Sequence, residues 1–262
     1  MTQRLAFITG ASSGLGQALA LRYTQAGYAL ALLARRTDEI QRWADLHNLP
    51  AQGYKIYYAD VADVTSIVAA GEAVIAAQGL PDVVIANAGI SVGVDTAYRE
   101  DIDEMARTFA TNNIGMCATF QPFVRPMRER KSGRLVGIAS VAAIRGLPGH
   151  GAYCASKAAV VSYCESLRGE LHNSGVKVVT ILPGYIATPL TSKNRYPMPF
   201  LMQPEAFAQQ AWAAIERGVS YKVIPWQMGV IAKLLRVLPN ALFDRAFARQ
   251  PRKHRARAPQ DA

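Results

Sequence analysis

Short runs of apolar residues recur along the chain at 5–9, 28–34, 54–59, 82–86, 134–139, 176–182 and 221–224. Continuous hydrophobicity without polar alternation marks strands covered on both faces, as in a parallel sheet. Longer stretches lie between these runs, at 14–26, 37–47, 63–77, 99–130, 151–173 and 204–217. There apolar residues return every three or four positions, the spacing of a helix with one buried side. Strand and helix therefore alternate, which predicts βαβ units. The expected fold class is α/β: a doubly wound, seven-stranded parallel sheet with helices on both faces.

No repeat, linker or change of composition interrupts this rhythm before residue 225, so one domain is expected over 1–224. Beyond it, Met228, Ile231, Leu235 and Leu238 recur at helical spacing and Pro239 breaks the pattern. Residues 241–248 then resume it, predicting a helical extension over 225–248 and a basic tail over 249–262. The longest irregular segment, 185–203, follows the sixth strand and holds prolines at 189, 197 and 199. Ligands in such sheets bind beyond the carboxyl ends of the strands, so this segment is expected to be a substrate loop. Tyr185, Tyr196, Met198, Phe200, Leu201 and Met202 make it apolar; Lys193 and Arg195 leave room for an anionic group on the substrate, although they are rather expected to face solvent.

Composition narrows the class. Of 262 residues, 50% are hydrophobic and 18% charged, which excludes a disordered chain. The formal charge of +10 raises nucleic acid, an anionic membrane or a phosphorylated ligand as partners. The excess is local: residues 125–134 and 248–262 each contribute +4. Neither cluster interleaves aromatic residues for base stacking, so no nucleic acid is expected to bind. Cys117, Cys154 and Cys164 show no paired spacing, and the four histidines form no ligand motif, so no metal site is expected. Residues 1–4 run straight into the first apolar segment, without the pattern of a secretion signal, which points to the cytoplasm.

The first strand runs into Thr9-Gly10-Ala11-Ser12-Ser13-Gly14-Leu15-Gly16. Glycines at a strand-to-helix turn let backbone N–H groups approach a pyrophosphate at the positive end of the helix. The spacing, together with Asn87-Ala88-Gly89 after the fourth strand, Tyr153-Cys154-Ala155-Ser156-Lys157 on the fifth helical pattern and Pro183-Gly184 after the sixth strand, resembles the short-chain dehydrogenase/reductase family. The likeness covers about residues 4–224 and implies a Rossmann-type fold, a nicotinamide cofactor and a homodimer or homotetramer.

Cofactor choice can be argued from the end of the second strand, where NAD-type sites place an acid on the ribose 2′-OH. Here Ala34 is followed by Arg35 and Arg36, and a guanidinium can pair a 2′-phosphate. Arg35 resembles the basic residue of the family's NADP-preferring branch, so NADP(H) is the expected cofactor. By the same resemblance Asp60 and Val61 match the adenine-contacting pair, although Asp60 could equally cap a helix. Ile186 and Thr188 match positions that contact the nicotinamide carboxamide.

Tyr153 and Lys157 lie four apart, on one helix face, and an ammonium near a phenol favours the ionised phenolate. In the family such a tyrosine exchanges a proton with the substrate oxygen while hydride moves at nicotinamide C4, and the lysine also holds the nicotinamide ribose. Ser140 resembles the serine that orients the carbonyl, and Asn112 the asparagine whose backbone carbonyl anchors a proton relay. Asn87 is expected to fasten the central strands. The resulting expectation is a carbonyl reductase or alcohol dehydrogenase acting on a hydrophobic ketone or alcohol. A silent NADP-binding sensor would have been expected to lose Tyr153 or Lys157, and both are present. Lipid-directed members of the family carry an extension like 225–262, so either cover for the site rim, a subunit interface or weak peripheral membrane contact is expected of it.

Overall fold

The computed structural model describes residues 3–192, 194, 197–248, 251, 253 and 255. Strands β1 (Leu5–Thr9), β2 (Ala29–Ala34), β3 (Tyr54–Tyr58), β4 (Val83–Ala86), β5 (Gly133–Ile138), β6 (Val176–Pro183) and β7 (Tyr221–Ile224) form one parallel sheet in the order β3-β2-β1-β4-β5-β6-β7. Ile8 pairs with Leu32 on one side and Ile85 on the other, which sets the register at the centre. Every residue of β1 and β4 is buried, the reason both strands read as unbroken apolar runs.

Two apolar layers cover the sheet. On one face α1 (Gly14–Gln25), α2 (Thr37–Leu46) and α7 (Pro204–Glu216) bring Leu19, Tyr23, Ile40 and Phe207 onto the even side chains of β1 and β2. On the other, α3 (Val64–Gln78), α5 (Gly115–Arg130) and α6 (Gly151–Glu170) bring Val74, Phe120, Phe123 and Val160 onto Phe7 and Leu33. Phe7 and Phe123 meet edge to face at 4.8 Å. The strand order reverses between β1 and β4, which opens a crevice at their carboxyl ends.

The helical pattern of 99–130 proves to be two helices. α4 (Glu100–Phe109) and α5 are separated by a π-helical turn over Ala110–Ile114, where Gly115 N–H reaches back five residues to Ala110 O. Periodicity cannot reveal a single extra residue in a helix turn. The extension forms α8 (Trp226–Val237) and α9 (Asn240–Phe247). No helix among the described residues is long and apolar enough to cross a membrane.

Candidate active site

The glycine-rich turn is shaped by contacts that exclude a side chain. Gly10 has φ +67°, and a Cβ there would meet Ala88 Cα at 2.9 Å. A Cβ on Gly16 would stand 2.1 Å from Gly10 O, so α1 can pack this close only with glycine at 16. Ser13 ends the turn without a side-chain bond to the first amides of α1, and no acid sits in that first turn. Those amides keep their capacity for an anion. Thr9 Oγ1 accepts from the N–H groups of Asn87 and Ala88, both at 3.1 Å, and Asn87 Nδ2 donates to Thr9 O at 2.9 Å. Asn87 thus fastens β4 to β1.

A cleft of about 570 Å³ runs along this crevice. Gly10, Ser12, Ser13, Gly14 and Leu15 line it, as do Asn87, Ala88 and Gly89. Arg35, Arg36, Asp60 and Val61 stand at one end, with Tyr153 and Lys157 at the other. Arg35 lies 3.6 Å from Asp60, and Arg36 donates to Ser12 Oγ at 3.3 Å and pairs with Glu39 at 3.4 Å. The acid nearest Arg35 therefore comes from the end of the neighbouring strand, a cross-strand contact that local spacing does not show. Asp63, not Asp60, caps α3, accepting from Thr65 and Ser66 N–H. Arg107 and Thr111, on α4 and the π-turn, also line the cleft. Nothing in their local sequence distinguishes them from solvated helix residues.

The segment after β6 closes one wall. Ala187 N–H donates to Met202 O at 2.9 Å and Met202 N–H to Tyr185 O at 3.0 Å, pinning the base of the loop. Thr188 lines the cleft, and its Cβ lies where a Cβ on Gly14 would be 3.3 Å away. Ile186 is buried in the core, and neither it nor Pro183 lines the cleft. Gly184 packs against Met228 of α8. Of the apolar loop residues singled out in the sequence, Tyr185 lines a cavity, Phe200 and Leu201 are exposed, and Tyr196 lies outside the described residues with Lys193 and Arg195.

At the inner end the four polar residues converge. Asn112 is buried in the π-turn; its Oδ1 accepts from Ile90 N–H at 2.8 Å and its Nδ2 donates to Ser156 Oγ at 2.9 Å. Lys157, 6% exposed, donates to Ile138 O at 2.8 Å. Gly89 lets Asn112 and Lys157 approach, since a Cβ there would come within 3.2 and 3.4 Å of them. Ser140 follows β5, caps a short turn through Ala142 N–H, and lines the same cavity as Tyr153, whose phenol pKa it acts to lower. Burial pulls the Lys157 ammonium down to about 8.

The Tyr153 phenol is shifted upward by burial, Ser140 opposing this only partly. This departs from the expectation of a phenol eased toward ionisation by its lysine. The ammonium lies 5.8 Å from the ring centre and is bonded to a backbone carbonyl, and burial of the phenol dominates its shift. Cys154 and Cys164 are buried, with thiols raised by burial, Cys164 to about 12.

Tyr153 also borders a second cavity of about 340 Å³, shared with Ser140, Leu147, His150 and Tyr185. Met228, Ile231, Ala232 and Leu235 of α8 supply its far wall, so the helical stripe read in the extension covers the site rim. Arg145 ties the extension down: its guanidinium donates to Leu235, Arg236 and Leu238 O at 2.6, 3.0 and 2.8 Å and stacks 4.0 Å over Phe243. A lone arginine after β5 carried no signal of that role.

The family model for the short chain dehydrogenase matches residues 4–198. The chain belongs to the short-chain dehydrogenase family. An uncharacterized oxidoreductase of Myxococcus xanthus is 38% identical over 249 residues, 95% of this chain and 98% of that protein. Among solved structures, a short-chain dehydrogenase/reductase from Burkholderia phymatum in complex with NAD superposes with a TM-score of 0.80 at 23% identity, covering 95% and 96% of the two chains. An alcohol dehydrogenase from Thermococcus sibiricus complexed with 5-hydroxy-NADP superposes with a TM-score of 0.74 at 25% identity, covering 85% and 95%. This short-chain dehydrogenase is accordingly an oxidoreductase with the fold of proteins that bind NAD or NADP.

Proposed function

We propose that this short-chain dehydrogenase is an NADPH-dependent carbonyl reductase that converts a hydrophobic ketone to its alcohol, reversibly. One observation carries the reading: Tyr153 borders both cavities, so a single phenol faces the crevice that fits a dinucleotide and the apolar pocket that fits a substrate. The crevice suits such a cofactor on its own geometry. It has a turn in which Gly16 is the one residue that fits, open amides at the start of α1, and two guanidinium groups at the far end.

The residues that would hold NADP(H) are those of the turn for the pyrophosphate and Arg35, with Arg36, for the 2′-phosphate. Asp60 and Val61 would take the adenine, Lys157 the nicotinamide ribose, and Thr188 the carboxamide. When bound, the cofactor supplies or accepts a hydride at nicotinamide C4. Ser140 and Tyr153 donate hydrogen bonds to the carbonyl oxygen and orient it. Tyr153 Oη passes its proton to that oxygen as negative charge develops, and takes it back in the reverse direction. A phenol held above its ordinary range stays protonated near neutrality, which suits the reductive direction. Lys157 holds its ammonium at the inner end of the cleft through Ile138 O, one helix turn from the phenol, and Asn112 in the π-turn anchors the relay that returns the proton.

Tyr153→Phe tests the assignment. Turnover of a panel of ketones, followed by NADPH absorbance, should fall by a factor of about 10² to 10⁴ while NADPH affinity is kept. Ordinary turnover by that variant would refute the role. A cytoplasmic homodimer or homotetramer goes with this reading. The outer face of α8 and α9 supports association: Trp226, Val230, Leu234, Val237 and Leu242 are exposed there beside Lys233, Arg236 and Arg245. That face suits a partner subunit or weak contact with an anionic membrane.

A further inference from the structure

The cavity beside Tyr153 holds a positive charge that no acid among the described residues of its wall balances. Val141, Leu147, Met228, Ile231 and Leu235 make most of that wall apolar. Among the described residues, two cationic side chains line it, Arg145 and Lys253, and no Asp or Glu does. Arg145 is committed to the carbonyls that end α8. Lys253 is not so employed. Half-buried, it donates to Ser91 Oγ, a neutral group, at 2.8 Å, and stands 6.0 Å from the Tyr153 ring centre. Among the described residues it makes no ion pair with a carboxylate. His150, close enough to feel its charge, is held below its usual range chiefly by burial and secondarily by Lys253. Burial likewise disfavours the Lys253 ammonium itself. A partly desolvated ammonium beside apolar walls is costly unless an anion joins it.

The tail that delivers this lysine is latched. Arg255 grips Asp101 with two bonds of 2.7 and 3.0 Å, reaches Glu100 at 3.2 Å, and lies 3.6 Å over the Tyr98 ring. Asp101 is 2% exposed, and Arg255 holds its carboxyl below the usual range. Arg255 also forms an isolated parallel bridge with Gly93, two residues from the Ser91 that Lys253 reaches. The sequence marks the tail only as basic; at these two positions it lies against the body of the protein, and the rest of 249–262 apart from Pro251 lies outside the described residues. Composition counts these cations but cannot say that buried Asp101, some 150 residues away, receives one of them.

We infer that Lys253 is a specificity-determining residue that binds an anionic group of the substrate, so that the preferred carbonyl compound is a keto acid with its carboxylate a few carbons from the reacting carbonyl. The inference rests on the reductase reading for the identity of the pocket, but its test does not depend on turnover. The full chain, saturated with NADP⁺, is titrated by calorimetry with 4-phenylbutanoate and with its neutral counterpart 4-phenylbutanamide. The wild type should bind the carboxylate about tenfold tighter or more, the strength of a charge-assisted hydrogen bond. Lys253→Met should bring the two ligands to parity by weakening the carboxylate alone, and Lys253→Arg should keep the preference. No binding of the carboxylate by the wild type, parity there, or an unchanged preference in Lys253→Met would overturn the inference. The reductase reading fails by a different result, retained ketone turnover in Tyr153→Phe, which leaves the binding comparison standing.

Discussion

Lys157 offers a measurement of what it costs to keep a cation inside the site. It is 6% exposed, and burial lowers its pKa from 10.5 to about 8. For a base, a folded-state pKa below the unfolded one means that the folded chain pays to hold the proton. The unfolded chain binds more protons between the two values, so stability rises with pH across that interval. With roughly 1.36 kcal/mol per pKa unit, the charged lysine costs about 3 kcal/mol at pH 7. The same linkage leaves about 1 kcal/mol at pH 9.5, where most of the folded-state lysine is neutral. Urea unfolding of the cofactor-free wild type and of Lys157→Met from pH 7 to 9.5 isolates this group, since other titrations are common to both proteins. The stability difference should move in favour of the wild type by about 2 kcal/mol over that range. Part of the gain that Lys157→Met makes at pH 7 is offset by the lost 2.8 Å bond to Ile138 O, which shifts the whole curve without changing its slope. Curves that run parallel across the range would show that burial does not depress Lys157, and the reasoning would fail.

Three further outcomes are expected. Arg35→Ala should weaken NADPH by about tenfold or more and leave NADH nearly unchanged in fluorescence titrations; equal losses for both cofactors would mean that Arg35 does not read the 2′-phosphate. Arg145→Met removes the bonds that end α8 and the stack on Phe243, so thermal unfolding should show a loss of about 1–3 kcal/mol; an unchanged midpoint would show that the extension is held elsewhere. Flotation with anionic liposomes should recover the protein at low salt and release it at high salt, and Leu234→Glu should abolish recovery; salt-insensitive absence of the wild type from the floated fraction would exclude membrane contact.

Legibility followed the range of the interactions. The strands were readable because parallel strands are buried on both faces and leave no alternation, and β1 and β7 have the bounds that the apolar runs have. The glycine turn was readable because its constraint is local: Gly16 must approach Gly10 six residues away. Tyr153 and Lys157 were readable as a pair because four residues is one helix turn. Three things lay beyond such reasoning. The π-turn at Asn112 adds one residue that periodicity cannot register. The Asp60 carboxylate beside Arg35 crosses from one strand to its neighbour. The direction of the Tyr153 shift is set by burial, which comes from distant segments, while the Lys157 ammonium bonds Ile138 O.

Taken alone, the sequence determines the parallel α/β sheet, the crevice at its reversal, and the identity of the groups brought to its inner end. Those properties follow from hydrophobic period and short-range sterics, which are written residue by residue. Only the tertiary structure decides what forms the substrate wall, because α8, Arg145 and Lys253 reach the pocket through contacts between distant segments. Arg255 meets Asp101 across 154 residues of chain, and the energy of that pairing depends on burial and orientation that no local pattern contains.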